Sequence, residues 1–189
     1  MHRNFSERPV AREVVERILR NALHAPSAGF SQGWAFLVFH GVDEVTRFWE
    51  VSWPPDQRRP DRRGVMAAPL VVVPLASKLA YLDRYAEPDK GWTDRDEARW
   101  PVPYWFIDTG FASLLMLLTV TDAGLGALFF GIGDAARVRD SFGIPADHDP
   151  IGAIAIGYPE PDEPSPSLRR GRRDLAEVVH VGRWGRVWS

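Results

Sequence analysis

The amino-acid sequence predicts a fold of the α/β or α+β class built as a single domain. Three short apolar runs, at residues 34–39, 70–75 and 150–159, have the length and composition of buried strands. Segments with helical periodicity lie between them, and this alternation defines the fold class. A chain of 189 residues corresponds to one domain or to one subunit of an oligomer, and we find no internal repeat in it.

The composition is that of an ordinary globular protein, with 45% hydrophobic and 25% charged residues. A formal net charge of −2 gives no reason to expect binding to nucleic acid or to a membrane surface. The chain has no cysteine, which excludes disulfides, thiolate metal sites and a cysteine nucleophile. The N-terminus shows no apolar signal segment, so we expect a cytoplasmic protein.

The first half of the chain starts with a predicted helix, because Val14, Val15, Ile18 and Leu19 form an apolar stripe with charged residues opposite. The segment HAPSAGFSQGW, residues 24–34, interrupts this pattern and consists largely of small and polar residues. Such a loop lets main chain approach a flat ligand. A strand follows at 34–39, then a short helix at 43–50 and a basic, proline-rich loop at 53–64.

The second half has a strand at 70–75 and then a long polar and aromatic segment, residues 81–103. We interpret this segment as a lid, a helical excursion or a partner contact, since it is too long for a plain connection. Residues 104–124 predict a helix that is apolar on nearly every side and ends at Gly124. One small chain can hardly cover such a helix, so we expect a second subunit to do so. A short strand, a helix at 134–143, the strand at 150–159 and an extended tail at 160–189 complete the chain.

The motif GIGDAA, residues 131–136, fits the glycine pattern of a dinucleotide fingerprint. Only about fifty residues follow it, too few for the paired βαβ halves of that fold. We therefore retain a weaker inference, that a strand ends here with its backbone accessible to a ligand. The five histidines lack metal-ligand spacing, and no Gly-x-Ser-x-Gly turn is found. If the protein is an enzyme, a cofactor is expected to supply the chemistry.

Arginines are the most informative charged residues, since a phosphate is held best by several guanidinium groups together. They occur at the N-terminus, in the middle loop and in the tail, as Arg3, Arg62, Arg63, Arg169, Arg170, Arg172 and Arg173. In the 81–103 segment, Trp92, Trp100 and Lys90 could stack on or pair with an anionic aromatic substrate.

Several segments, taken in order, resemble the nitroreductase family of flavoproteins. They are RNFSERPV, APSAGFSQGW, APLVVV, GLGALFFG, GIPADHDPIGAIAIGYP and RRGRRDLAEVVH. The resemblance implies an α+β fold, a three-layer α-β-α sandwich whose mixed sheet has helices on both faces. It also implies an intertwined homodimer with one FMN in each of two interface sites.

The resemblance assigns roles to individual residues. Arg3, Arg170 and Arg172 match phosphate ligands, and Phe130 with Gly131 matches the strand end that faces the reactive edge of the flavin. Pro26, Ser27 and Ala28 match the loop that lies on the flavin from the opposite subunit, and Gln32 is expected to satisfy buried polar groups nearby. Arg63 is a candidate donor to the pyrimidine edge. The sequence departs from the family in having Phe30 where Asn is common, and in lacking the usual Arg and Ser just upstream of Arg3.

The activity implied by the resemblance is that of an FMN-dependent oxidoreductase. NAD(P)H would reduce the flavin and leave, and a nitroaromatic or quinone acceptor would then bind the same cleft, giving ping-pong kinetics. The alternatives are a specialised enzyme of the family, dehalogenase-like or flavin-cleaving, and a flavin-binding protein without catalytic activity.

Overall fold

A computed structural model describes residues 1–53 and 63–188, with only the backbone of Arg63. The basic loop predicted at 53–64 therefore lies almost wholly outside the described residues. The helices are α1 (Arg12–Ala22), α2 (Val42–Ser52), α3 (Arg63–Met66), α4 (Lys78–Ala86), α5 (Tyr104–Asp122), α6 (Ala135–Ser141) and α7 (Leu175–Val178). The strands are β1 (Trp34–His40), β2 (Leu70–Ser77), β3 (Gly126–Phe130), β4 (His148–Pro150) and β5 (Ala153–Gly157).

The sheet has the strand order β1-β2-β5-β3, and β4 pairs with the end of β2 beside β5. Every strand pair among the described residues is antiparallel. The sheet formed by this part of the chain is thus antiparallel, where a mixed sheet was expected. The run at 150–159 is also divided, because Gly152 with φ of 149° separates β4 from β5.

The residues of β2 alternate between two cores, one on each face of the sheet. Val71, Val73 and Leu75 pack with α2, α3 and α6 on one face. Leu70 and Val72 pack with α1 and α5 on the other face. This arrangement confirms the three-layer α-β-α sandwich of the α+β class that the sequence predicts.

Helix α5 has a buried inner face and an apolar outer face. Its inner face carries buried polar residues whose hydroxyls bond to the preceding turn, as Thr109 does to the Trp105 carbonyl at 2.7 Å. Its outer face leaves large side chains exposed, namely Phe106, Ile107, Phe111, Leu114 and Leu118. Among the described helices, only α5 is long and apolar enough to cross a membrane, and this rests on length and composition alone. No part of the chain that the structure describes covers this outer stripe.

The segment predicted as a lid or excursion begins inside a helix, because Tyr81 lies in α4 and is fully buried. The remainder, residues 87–103, is an irregular segment that we call the arm. The arm is tied to α4 and within itself by ion pairs. These pairs join Lys78 to Glu97, Arg84 to Asp89, Arg95 to Asp83 and Arg99 to Asp94.

Candidate functional site

A cavity of about 380 Å³ lies where β3 ends, between α2, α3 and the N-terminal segment. It brings together three residues that the sequence analysis assigns to a cofactor, Arg3, Phe130 and Gly131. The other lining residues are Met1, Trp49, Trp53, Val65, Leu128 and Phe129. A second cavity of similar size, about 340 Å³, contains none of the predicted residues and lies near the start of α2.

Backbone hydrogen bonds on two sides position Arg3 at this cavity. The His2 amide donates to the Ala127 carbonyl of β3 at 3.0 Å, and the Phe5 amide donates to the Gly64 carbonyl of α3 at 3.2 Å. The Phe5 side chain is buried in the core, which anchors the segment further. A side chain at Gly64 would press on the Arg3 carbonyl, since its Cβ would lie 2.8 Å from that oxygen. Close packing of the N-terminal main chain against β3 and α3 therefore fixes the position of the Arg3 backbone, from which its side chain extends.

The end of β3 supplies bare main chain and an aromatic ring. Gly131 lines the cavity, and a Cβ added there would meet no atom within 4 Å. The glycine therefore leaves its backbone accessible to a ligand. Phe130 is half-buried and stacks with two tryptophans of α2 and its C-terminal end, Trp49 at 5.5 Å and Trp53 at 5.4 Å between ring centroids. The sequence analysis did not identify either tryptophan as part of a site.

The loop with Pro26, Ser27 and Ala28 does not line this cavity in the described chain. It is held firmly elsewhere: the Ala28 amide donates to the Asp108 carboxylate at 2.8 Å, and Arg84 Nε donates to the Gly29 carbonyl at 2.9 Å. Phe30 and Gln32 both have positive φ, 57° and 49°, a strained conformation that persists only where contacts enforce it. The loop is therefore rigid and presents an exposed Phe30.

Gln32 was expected to satisfy buried polar groups near the loop of residues 26–28, but in this chain it lies at the surface. Its side chain is exposed, and its backbone amide donates to the Ser27 hydroxyl at 3.1 Å. Among the described residues of one chain, the Gln32 side chain therefore satisfies no buried polar group, because the turn around it points the side chain outward. Gln32 lines a separate open cavity with Asp147 and His148, and the His148 ring lowers the pKa of the Asp147 carboxyl through a hydrogen bond.

Asp108 is the buried acid that organises this region, and the sequence analysis did not select it. Its Oδ2 accepts from the Tyr81 hydroxyl at 2.8 Å as well as from the Ala28 amide. Burial and the neighbouring carboxylate raise the pKa of Tyr81 well above its ordinary value. An acid within the apolar N-terminal half of the helix was the available signal, but the partners of Asp108 are far away in sequence.

The tail arginines are exposed and do not line the cavity. Arg170 ends a short 3₁₀ turn, Pro166–Arg170, and Arg172 follows Gly171. The tail nevertheless starts beside Arg3, whose amide donates to the Asp162 carboxylate at 2.8 Å. The side chain of Arg63, the predicted pyrimidine-edge donor, lies outside the described residues.

Trp92 and Trp100, the predicted substrate residues, are also away from the cavity in the described chain. Their rings pack on Tyr85, with centroid distances of 4.8 Å and 4.5 Å. Tyr85 in turn lies against Gly29, where a side chain would collide with its ring. The two tryptophans thus join the arm to the loop that carries Ala28 and Phe30.

Comparison with known proteins identifies the family. A model of the nitroreductase family matches residues 1–158. The chain belongs to the nitroreductase family. This confirms the resemblance seen in the sequence and agrees with the three-layer fold.

Two relatives and one solved structure illustrate the likeness. A protein of Methanothermobacter thermautotrophicus named "Putative NADH dehydrogenase/NAD(P)H nitroreductase" is 26% identical over 188 residues, covering 96% of this chain and 82% of the relative. A 5,6-dimethylbenzimidazole synthase of Rhodospirillum rubrum is 26% identical over 185 residues, covering 89% and 82%. The crystal structure of an oxidoreductase containing FMN superposes with a TM-score of 0.72 at 21% identity, covering 97% of this chain and 87% of the other.

Proposed function

We propose that the protein is an FMN-dependent oxidoreductase that uses NAD(P)H to reduce small nitroaromatic or quinone acceptors in a ping-pong cycle. The observation that carries the proposal is the meeting of Arg3, Phe130 and Gly131 at one cavity in a nitroreductase-family chain. The names of the relatives and the FMN in a structural neighbour support the same class of reaction. When bound, FMN supplies the site that accepts and donates hydride.

The residues around the cavity fit this cofactor. Arg3 provides a permanent cation for a phosphate, and Gly131 leaves backbone accessible to the edge of a ring. Phe130, Trp49 and Trp53 line the cavity with aromatic side chains, and such surroundings suit a fused aromatic ring system. A volume of about 380 Å³ lies within the range of roughly 300–1,000 Å³ that is usual for small-molecule sites.

The protein's part in the reaction is binding and exclusion of water. Arg3, with Arg170 and Arg172 from the tail, would replace the hydration of the phosphate with charge-assisted hydrogen bonds. The bare main chain at Gly131 would orient the ring, and the apolar wall from Leu128 and Val65 would keep water away from its inner face. No acid or base of this chain has to transfer a proton for hydride to move.

We propose that the site is completed by a second copy of the chain. The apolar outer face of α5 needs a cover, and Pro26, Ser27 and Ala28 lie on a rigid loop that is not at the cavity of their own chain. In a homodimer that loop, with Phe30 and the arm carrying Trp92 and Trp100, would reach the cavity of the partner. A second copy covers the stripe on α5 better than lipid would, because the inner face of the same helix packs in the core with buried polar groups. We propose no nucleic-acid partner, and we propose a cytoplasmic location.

A specialised activity, dehalogenase-like or flavin-cleaving, is the main alternative. The likeness to a 5,6-dimethylbenzimidazole synthase supports this alternative. It differs from the proposal in the fate of the flavin. Repeated cycles with NAD(P)H and air leave the flavin spectrum intact in an NAD(P)H oxidoreductase. A flavin-cleaving enzyme would bleach it irreversibly.

Initial-rate kinetics test the proposal. We expect NADH or NADPH oxidation that depends on 4-nitrobenzoate or menadione, with parallel double-reciprocal lines as either substrate is varied. Intersecting lines would contradict the ping-pong cycle. A flavin-loaded protein that oxidises neither nicotinamide would instead be a flavin-binding protein without this activity.

A further inference from the structure

Phe30 combines two unfavourable features. Its large apolar side chain is 73% exposed, and its backbone has a φ of 57°, in the left-handed region. Glycine, asparagine and aspartate adopt this region readily, whereas a bulky aromatic residue is strained there. A turn that only had to reverse the chain would need no aromatic ring at this position. The strained and exposed ring therefore indicates a role in binding.

One arginine of α4 holds the backbone next to Phe30. Arg84 Nε donates to the Gly29 carbonyl at 2.9 Å. The two terminal nitrogens of the same guanidinium group donate to the Asp89 carboxylate of the arm, both at 2.7 Å. A bidentate pair of this kind fixes the plane of the guanidinium group. Arg84 therefore joins the arm to the loop and restrains the peptide that precedes Phe30.

Tyr85, the next residue of α4, supports the same glycine by direct contact. Gly29 has a φ of 61°, and a Cβ there would lie 2.6 Å from the Tyr85 ring. The ring is itself packed by Trp92 and Trp100 of the arm, with centroid distances of 4.8 Å and 4.5 Å. These contacts indicate that the arm is a buttress for the loop and not a lid that opens.

The supported loop lies beside the apolar outer face of α5. The Ala28 amide donates to the Asp108 carboxylate of α5 at 2.8 Å. Phe106 and Ile107, which immediately precede Asp108 in that helix, are exposed members of the apolar stripe. A second copy of the chain that covers the stripe would therefore also meet Phe30. We take this second copy as the surface that Phe30 contacts.

We propose that Phe30 of one copy selects the acceptor in the candidate site of the other copy, and that Arg84 is the positioning residue that holds Phe30 in place. A phenyl ring at a fixed position packs well on planar aromatic acceptors, face to face or edge to face. Because the loop is already ordered in the free chain, little conformational freedom is lost when the acceptor binds. This inference rests on the proposed function, since it concerns the acceptor of that reaction.

Cross-linking tests the position of Phe30 without relying on catalysis. The chain has no cysteine, so an engineered cysteine is unique in its chain. Chains with Phe30→Cys and chains with Gly131→Cys, co-expressed and treated with a short bismaleimide, should yield a peptide pair that joins residues 30 and 131. A Cβ at Gly131 meets no atom within 4 Å, so that variant should fold normally.

Val42→Cys is the control for the cross-link, because Val42 is 77% exposed at the start of α2. In place of Phe30→Cys it should yield no peptide pair with residue 131. A dimer that forms no link between residues 30 and 131, or that links residue 42 equally well, would overturn the inference.

Steady-state kinetics test the selection of acceptors. Phe30→Leu keeps an apolar side chain but removes the flat ring, and should lower kcat/KM for menadione and 4-nitrobenzoate about three- to tenfold. Phe30→Tyr retains the ring as the matched control and should stay within about twofold of the wild type. Ferricyanide, which accepts an electron without packing on a ring, should keep its kcat/KM in all three proteins.

The kinetic outcomes separate the inference from the proposed function. An unchanged kcat/KM for menadione in Phe30→Leu would overturn the inference and leave the proposed function standing. A wild-type protein that reduces no acceptor would refute both.

A double-variant comparison tests Arg84 as the positioning residue. Arg84→Ala should lower kcat/KM for menadione as Phe30→Leu does, and the combined variant should lose little more, because both changes act through one ring. Arg12→Ala, which removes an exposed ion pair with Glu16 on α1, is the control and should leave every acceptor unchanged. Additive losses, or an equal loss with ferricyanide, would overturn the role of Arg84. The cross-link and the Phe30 variants decide the rest of the inference even if Arg84→Ala fails to fold.

Discussion

The Tyr81 hydroxyl and the Asp108 carboxylate meet in a hydrogen bond of 2.8 Å that is buried from solvent, and the same carboxylate oxygen accepts the Ala28 amide. One acid on α5 therefore fixes both α4 and the loop of residues 26–32. A buried carboxylate with two donors is costly to disturb, because loss of either partner leaves charge unpaired.

This pair predicts how stability changes at alkaline pH. The pKa of Tyr81 is raised in the folded protein above its value of about 10 in the unfolded chain. Below pH 10 both states keep the proton, so the contribution of Tyr81 is fully present. Above pH 10 only the unfolded state releases it, and the free energy of unfolding falls by about 1.4 kcal/mol per pH unit from this group.

Chemical denaturation of Tyr81→Phe between pH 9 and 11 measures this contribution. In this variant the free energy of unfolding should no longer fall above pH 10 by the amount that Tyr81 contributes. Tyr104→Phe, which changes a half-buried tyrosine of α5, is the control and should retain that fall. An alkaline slope that is the same in Tyr81→Phe and in the wild-type protein would show that the buried pair does not hold the proton.

The tail arginines are predicted to bind the phosphate of FMN and to make no contribution to binding of the flavin ring. Arg172→Ala should weaken FMN about 10- to 100-fold, because each charge-assisted bond contributes roughly 1.5–3 kcal/mol. Riboflavin has the same ring without the phosphate, so its Kd should scarcely change. Arg169→Ala is the matched control, since Arg169 is an exposed arginine of the same tail with no assigned role. Equal losses for FMN and riboflavin in Arg172→Ala would show that the tail has been assigned wrongly.

The outer face of α5 is predicted to be an obligate dimer interface. We expect the wild-type protein to sediment as a dimer at micromolar concentration, with a buried interface above about 2,000 Å². Leu118→Asp places a charge on the exposed stripe and should dissociate or destabilise the dimer, whereas Val42→Asp, at an exposed position on α2, should not. A folded, flavin-loaded wild-type monomer would contradict this account of the site.

The arm is predicted to influence the acceptor. Trp92 packs on Tyr85, and Tyr85 supports the loop beside Gly29. Trp92→Ala should therefore lower kcat/KM for bulky aromatic acceptors more than for small quinones, while Trp92→Phe keeps the packing and behaves like the wild type. If every acceptor keeps its kcat/KM in Trp92→Ala, the arm only stabilises the chain or its dimer.

Much of the fold could be predicted because its signals are local. The run around Val71 and Val73 is apolar on both faces, as a strand between two helical layers must be. Helix α5 was recognisable from its length and apolar character. The short strand β4 was not, since it consists of three residues whose pairing with β2 depends on where Gly152 bends the chain.

The candidate site was only partly accessible from sequence. Gly131 was found because a glycine-flanked strand end is a local signal, and Arg3 was found through the family resemblance. Trp49 and Trp53 stand four residues apart and so share a helix face, but the sequence does not say that this face meets the end of β3. Asp108 contacts residues 27 and 80 positions earlier in the chain, and such partners emerge only from the tertiary structure.

The identity of the bound cofactor tests the central claim most directly. We predict that the purified protein is yellow, with the two absorption bands of oxidised flavin, and that heat releases a compound with the mass of FMN. Reconstitution should restore the spectrum if the cofactor is lost during purification. A colourless protein that takes up no added FMN, or one that releases FAD in place of FMN, would contradict the account.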